Sequence, residues 1–488
     1  MKKKNIYIAL AVTMMGFSAC SEDTFDDINK DTYHPAPEVV PAYLQLSEAI
    51  MSTGFSTVSG DLAFYLSSLN EQNIGVGNNQ LMKAELRNSN EWASSATFNN
   101  VWSSTYGNLL NIQQMIDKVE NNVTGNEGHY DVLGIAQVLK VMEFGILTDI
   151  FGDIPYSEAL KGQECLQPKM DSQKDIYADL LTTLDKAIGN LETAMNDKLN
   201  NVKDLDLAFN GDMKQWLATA YGLKARYLIH QTAVDKNVLA SAATAAQKAI
   251  SLGFSGMKIK EFNGVTADNP WSAFIWSRSY IASSANVAKM MKATNDPRLD
   301  AYTAYGEATL VEPGDAEATK IMDGSLGFPA WYDLGSQPIH LLSQAEVYFI
   351  LAETQLRQGQ DATDAFQAAV TSAVTDILTI MGEDASGAAD FAASLGKPTL
   401  KLLFEQKYLA QCVDEQIETY NDIRRCEAMG EHHITFTNPY NTQGGMNRVP
   451  KRLPYGNDSV LNNPKVAEAY GDGFYIYDQP VWWAGGSR

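Results

Sequence analysis

Apolar residues recur along most of this chain at spacings of three and four, the period of a helix with one buried face. Tyr43, Leu46 and Ile50 begin the pattern, and a short helix fits 61–71. Trp102, Tyr106, Leu109, Ile112 and Ile116 share one stripe and predict a helix over 91–119. The stretch 130–150 is apolar nearly all round, with Gln137, Lys140 and Thr148 as a narrow polar strip, so it should lie centrally and pack on several sides. Gly152 and Pro155 stop it. Further helices are predicted over 171–191, where Asp171 reads as the cap, and over 213–232, 237–252, 342–358, 362–380 and 399–425. Ala218, Ala220, Gly222 and Ala225 in one helix, and Ala242, Ala245, Ala246 and Ala249 in the next, mark surfaces of close approach. Antiparallel pairs recurring at about 35–45 residues fall in the length range of helical solenoid repeats.

The period is lost in three places. Residues 73–90 are polar and rich in Gly and Asn, long for a structureless connection. Residues 253–341 are rich in Gly, Pro and aromatics, with only 284–294 looking helical. The tail, 426–488, is punctuated by Gly444-Gly445, Pro450, Pro454, Pro464 and Pro480. The expected architecture is all-α: one domain over 42–488, with helix pairs at about 91–252 and 342–425, a loop-rich insertion at 253–341 and an irregular C-terminal segment at 426–488.

The first residues follow a different logic. Lys2, Lys3 and Lys4 precede an apolar run over 6–17, then Ser18, Ala19 and Cys20. A basic end, a short apolar core and small residues before a cut site describe a secretory signal over 1–19, too short to span a bilayer as a stable helix. Cys20 directly after the small pair resembles a bacterial lipobox, in which the cysteine is acylated and becomes the mature N-terminus; Phe17 departs from the leucine usual there. Several acyl chains at about 0.8 kcal/mol per buried methylene would hold the body where one could not. Residues 20–41, acidic and then Pro-containing, read as a tether.

Charge narrows the function. The 488 residues carry a net charge of −22, and removal of the three lysines takes it to −25. Such a surface repels phosphate backbones and anionic headgroups, which excludes nucleic acid and peripheral membrane roles. There is no phosphate-binding loop, dinucleotide glycine pattern or nucleophile elbow. His432-His433 beside Glu431 fits no zinc spacing and reads as a solvated turn, and Glu312-Pro313-Gly314-Asp315 lacks the ordered ligands of a calcium loop. No metal, cofactor or catalytic residue is assigned, and no enzymatic activity is expected. Cys412 and Cys426 can be read as a disulfide or as buried free thiols.

Several segments together resemble one family. FGDIPYSEAL at 151–160, NDPRLDAY at 295–302, SQAEVYFILAET at 343–354, EQKYLAQCVDEQIETYNDIRR at 405–425 and VPKRLPYGND at 449–458 follow the lipobox and its acidic continuation in order. The chain resembles SusD/RagB outer-membrane nutrient-binding lipoproteins, in particular the second SusD-like subfamily. That resemblance implies a core of four tetratricopeptide-like helix pairs with irregular insertions forming the binding face. It implies a partner as well, a SusC-like TonB-dependent β-barrel on which the protein sits as a lid. The ligand is then an oligosaccharide or, in some members, a peptide, and the site faces the cell exterior. Glu22-Asp23 and Asp26-Asp27 resemble the signals that send such lipoproteins to the outer face.

Flat aromatic rings match the apolar faces of sugars at low conformational cost. Trp271, Trp276, Tyr280, Trp331 and Tyr332, all in the insertion, are the candidate ligand contacts, with Arg87 and Trp92 as a second group in a region that the family tends to use. Trp102, Tyr106, Tyr221 and Tyr348 lie on helical stripes and read as core. A peptide ligand, or a pure protein-binding adaptor without a small-molecule site, are the alternative functions.

Overall fold

The computed structural model describes residues 40–321 and 326–487. The signal segment, Cys20, the acidic pairs and nearly all of the expected tether lie outside the described residues. The described residues begin with a 3-10 turn (Ala42–Gln45), α1 (Leu46–Ser52), a π-helical turn (Thr53–Val58) and α2 (Asp61–Leu69), followed by β1 (Asn73–Gly75), α3 (Gln80–Glu85) and α4 (Ser89–Ala93). Then come α5 (Asn99–Glu120) and α6 (Tyr130–Phe151), β2 (Ile154–Pro155), β3 (Met170–Asp171), α7 (Gln173–Asn196), α8 (Met213–His230) and α9 (Val238–Ser251). The insertion holds β4 (Met257–Ile259), α10 (Pro270–Arg278), β5 (Ile281–Ser283), α11 (Ala285–Thr294), α12 (Leu299–Tyr302) and β6 (Ile339–Leu342). The remainder is α13 (Gln344–Arg357), α14 (Thr363–Ile380), α15 (Ala388–Ser394), α16 (Leu400–Ala410), α17 (Gln416–Ala428), α18 (Asn457–Asn462) and α19 (Pro464–Tyr470).

The solenoid is real. Helices α5 to α9 each pack on the next, α9 packs directly on α13, and α13, α14 and α15 continue the stack. The insertion is therefore looped out of a continuous array. Its ends are closed by antiparallel pairing of β4 with β6, Met257 opposite Leu342 and Ile259 opposite Ile339. Helix α6 is central, with Val132, Ile135, Leu139 and Ile146 buried along with most of its other residues. Close packing against α8 rests on Gly145, where a Cβ would stand 2.0 Å from the Tyr227 hydroxyl. Among the described residues no helix is long and apolar enough to cross a membrane.

Five expectations change. The predicted helix over 91–119 is two: the Asn88 side chain caps α4, and the chain breaks at Ser94 before α5 starts at Asn99. Over 399–425 the helix is interrupted between α16 and α17, because Asp414 accepts the His340 backbone N–H at 3.1 Å and Glu415 accepts that of Ser343 at 2.8 Å. These tertiary bonds, to β6 and to the cap of α13, draw the turn out of the helix while the apolar period runs on. Asp171 sits in β3, and Ser172 caps α7 instead. Residues 73–90 are not structureless: β1 pairs with β5, and Asn79 caps α3. In the insertion α10 joins the predicted helix, with Asn269 as its cap and Pro270 in its first turn.

An ionic spine runs through the core of the array. Arg226 grips Glu346 with its Nε 2.8 Å from Oε1, Arg425 Nη2 lies 2.9 Å from Glu353 Oε2, and Lys407 Nζ lies 2.6 Å from Asp422. Arg424 Nη2 donates to the Asp149 carbonyl at 2.8 Å, so Arg424 and Arg425 are both architectural, as read from the sequence. The C-terminal segment returns across the scaffold: Leu453 N–H donates to the Ile150 carbonyl at 2.9 Å, and the Trp483 indole N–H donates to Asp149 at 2.9 Å. Cys412 and Cys426 are buried free thiols, and Cys165 is half-buried and free.

Candidate ligand-binding site

Of the seven candidate ligand contacts, five are wholly buried. Trp271 stacks flat on Tyr332 with ring centroids 4.3 Å apart, and meets Phe64 edge-on at 4.8 Å. Trp331 packs against Tyr302 at 5.7 Å, and the Tyr332 hydroxyl donates to the Val413 carbonyl at 3.0 Å. The Trp92 indole N–H donates to the Ala84 carbonyl at 3.1 Å. Trp92, Arg87, Trp271, Trp331 and Tyr332 each have 0 % exposure and can touch no ligand as placed, which corrects the expectation for these residues. The physical reason is shared. Irregular segments have no apolar stripe, so they need aromatic cores of their own to stay fixed.

Arg87 illustrates the alternative role. Its backbone is left-handed at φ 53°, and its guanidinium donates to the carbonyls of Leu69, Ala84 and Glu85 at 3.1 Å each and to Asn441 Oδ1 at 2.7 Å. Beside it the buried Glu71 carboxylate accepts the backbone N–H groups of Thr437 and Asn438. Glu85 accepts those of Gly75 and Gly314. Burial pushes the Glu85 carboxyl up, against the pull of Arg87. These three side chains staple 73–93, 314 and 437–441 into one surface.

The remaining two candidates are accessible: Trp276 is 69 % exposed and Tyr280 is half-buried. Helix α10 buries Trp271 and Ile275 and turns Trp276 outward. Its indole N–H donates to Asp333 Oδ1 at 3.0 Å. The other carboxylate oxygen, Oδ2, accepts the Tyr305 hydroxyl at 2.8 Å. Tyr305 is itself 44 % exposed and lies against Phe328 with centroids 4.8 Å apart. Asp333 follows directly on the anchored Trp331 and Tyr332, and Tyr305 lies three residues after the anchored Tyr302, so the buried aromatics aim the exposed ones. Burial and the Asp333 carboxylate push the Tyr305 phenol up to about 12, keeping it a neutral donor. The result is two exposed rings whose edges are tied to one carboxylate. Sequence reasoning chose Trp276 but missed Tyr305 and Asp333, since nothing in a linear pattern joins residues 276, 305 and 333.

Phe64 links this platform to a cleft. It stacks on Phe274 of α10 at 4.1 Å, while its neighbour Tyr65 lines an open cavity of about 490 Å³ with Asp61, Gln80, Lys83, Asn88, Glu91 and Asn100. The lining is rich in amides and hydroxyls, and Tyr65 donates to Glu91 at 3.0 Å. A second cleft of about 790 Å³ lies under the 151–160 motif, where Asp171 is taken up by Ser157 and Asp179 by the Tyr156 hydroxyl at 2.5 Å.

Among the described residues, two clusters have the composition of a metal site. In the first, His230 Nε2 lies 2.9 Å from Glu418 and Nδ1 lies 3.0 Å from the Tyr177 hydroxyl, with Asp149 at 3.4 Å. Burial works to lower the His230 pKa, but Glu418 and Asp149 together carry it to about 9, so a charged imidazolium already fills the place of a cation. In the second, Glu431 is held by both Nη atoms of Arg357 at 2.8 Å, and burial pushes the Cys426 thiol up to about 12. His433 stacks on Phe404 at 4.8 Å rather than standing in solvent, while His432 is exposed.

The structure is thus a helical-repeat array bearing an irregular face on which Trp276 and Tyr305 are exposed. The chain belongs to the SusD-like family: the family profile described as starch-binding, associating with outer membrane, matches residues 45–455. The family's members are binding proteins associated with the outer membrane. Among solved structures, the chain is similar to a SusD/RagB family protein from Bacteroides thetaiotaomicron, with 31% identity over 92% of this chain and 100% of that one and a TM-score of 0.80. A chitin-binding SusD homolog from Flavobacterium johnsoniae shares the fold at 21% identity and a TM-score of 0.62, covering 88% of this chain and 98% of that one. Another chitin-binding protein matches at 22% identity and a TM-score of 0.70 over 91% of this chain and 100% of that one. No curated protein sequence matches the chain.

Proposed function

We propose that this protein is a surface nutrient-binding lipoprotein, anchored through Cys20, that captures oligosaccharides for a SusC-like TonB-dependent barrel. The proposal rests on one observation above all: Trp276 and Tyr305 are exposed as a pair, with their polar edges held by Asp333. Aromatic rings held at fixed angles stack on sugar C–H faces without loss of rotamer freedom on binding. The polar cleft lined by Tyr65, Asn88 and Asn100 offers partners for hydroxyl groups. The starch-binding description of the family and the chitin-binding relatives agree with a glycan ligand. Binding and gating, not catalysis, are the mechanism; ligand shifts a lid between positions separated by a few kcal/mol, and the partner supplies energy.

Calorimetric titration of the mature protein against neutral glycan hexamers and against peptides tests the ligand. Substitution Trp276→Ala should weaken glycan affinity about tenfold, the scale of losing one stacked ring. An unchanged affinity in the Trp276→Ala, Tyr305→Ala double variant would remove this site. Peptide binding in its place would favour the alternative cargo. Co-purification of a large β-barrel protein from a native membrane extract tests the partner, and its absence there would count against the lid role.

A further inference from the structure

The charge in direct contact with the two exposed rings is negative. Asp333 sits between the two exposed rings, each of its oxygens holding one ring donor. Asp268 approaches from the adjoining turn, its Oδ1 only 2.8 Å from where a Cβ on Gly335 would lie. At the neighbouring cleft, Asp61 and Glu91 face a single cation, Lys83, which is 3.9 Å from Glu91 and so is already spoken for. Other nearby cations do not compensate. Lys292 is paired with Glu307, and Arg278 lies two residues beyond Trp276, about 200° round the helix and so on its other side. Carboxylate oxygens accept hydrogen bonds and cannot donate them. They have lone pairs left after binding one donor each, so they welcome hydroxyl or amide N–H groups and repel other carboxylates and sulfates.

We infer that the Trp276–Asp333–Tyr305 platform selects uncharged, donor-rich glycans and turns away uronate- and sulfate-bearing ones. The selection rests on the proposed glycan-binding function and deepens it. Charge is the discriminating term because the stacking rings accept the face of an acidic sugar as readily as that of a neutral one. Placing a ligand carboxylate at about 5 Å from Asp333 in a half-solvated site disfavours it by roughly tenfold or more.

The test uses the mature protein with matched probes, hexagalacturonate against its methyl ester, beside maltohexaose, chitohexaose and a heparin hexasaccharide. Affinities are read by calorimetry at about 20 mM and about 500 mM salt, where the Debye length falls from tens of Å to a few Å. The expected result is neutral hexamers bound, anionic ones at least roughly tenfold weaker at low salt, and that gap narrowing at high salt. Asp333→Asn should narrow it also, read as the ratio of anionic to neutral affinity within the variant, whatever that variant's absolute affinity. An anionic hexamer bound as tightly as or more tightly than its neutral counterpart overturns the charge selection while leaving the glycan site standing. Failure of every glycan to bind, with the Trp276→Ala variant indistinguishable from the parent, overturns both the selection and the glycan site together. A gap unaffected by salt and by Asp333→Asn assigns the selectivity to shape and overturns the role of Asp333.

Discussion

His230 makes the folded protein a base-sensitive object. The side chain is 1 % exposed and faces Glu418, Asp149 and Tyr177, with the rings of Tyr227 and Trp483 against it. Folding carries its pKa from 6.5 to about 9, because two carboxylates outweigh burial. A group that binds its proton more tightly when folded contributes stability that is complete below the unfolded pKa and lost as pH rises through the folded one. The contribution is therefore fully present below pH 6.5 and gone above about pH 9. At 1.36 kcal/mol for each pKa unit, the loss is about 3 kcal/mol across that window. Glu415, raised to about 8 by burial and by Glu346, and His340, carried to about 9 by Asp376 and Asp414 against its burial, weaken the parent protein in the same direction. The test is accordingly a difference. Urea unfolding of the parent and of His230→Gln is measured from pH 6 to pH 9.5, and the free energy of the parent should fall by about 3 kcal/mol more than that of the variant. Glutamine keeps a donor toward Glu418 but has no proton to lose. Curves that fall in parallel would refute the assignment of a charged histidine to the core.

Three further outcomes follow from packing. Arg425→Met leaves Glu353 buried beside Arg357 alone and should cost roughly 3–5 kcal/mol in chemical denaturation, while adding Glu353→Leu should recover much of it; a loss under 1 kcal/mol would contradict the pairing. Gly145→Ala puts a methyl group 2.0 Å from the Tyr227 hydroxyl, so the melting temperature should drop by the equivalent of about 1–3 kcal/mol and return in part with Tyr227→Leu. In a protein starting after Cys20, a thiol reagent at neutral pH should modify Cys165 alone, and Cys412 and Cys426, both pushed up to about 12 by burial, should react only on unfolding. Rapid labelling of all three would show that the core opens.

The helices were legible because their signal is local. The stripes over 130–150, 213–232 and 362–380 reappear as α6, α8 and α14 within a few residues, and the small residues of α8 and α9 lie at contacts as their spacing implies. The ordered motifs carried the family. Where sequence reading erred, a non-local bond decided the outcome. Asp414 and Glu415 broke the helix, though not its apolar period, by binding β6 and the cap of α13. Pairing of β1 with β5 gave order to a stretch that has no period of its own. The binding face was least legible of all. Trp271, Trp276, Trp331 and Tyr332 are alike to composition, yet three are buried anchors and one is 69 % exposed.

What the sequence determined by itself was the repeating helical scaffold, its acidity and its kinship. Those follow from periodicity, from charge totals and from short motifs, each readable without knowing what lies beside what. Only the tertiary structure decided which aromatic rings face solvent, and that Asp333 joins Trp276 to Tyr305. The period of α10 puts Trp271 and Trp276 on different faces, but which face is covered, and what the irregular backbone around Trp331 and Asp333 buries, is set by contacts between residues distant in the chain.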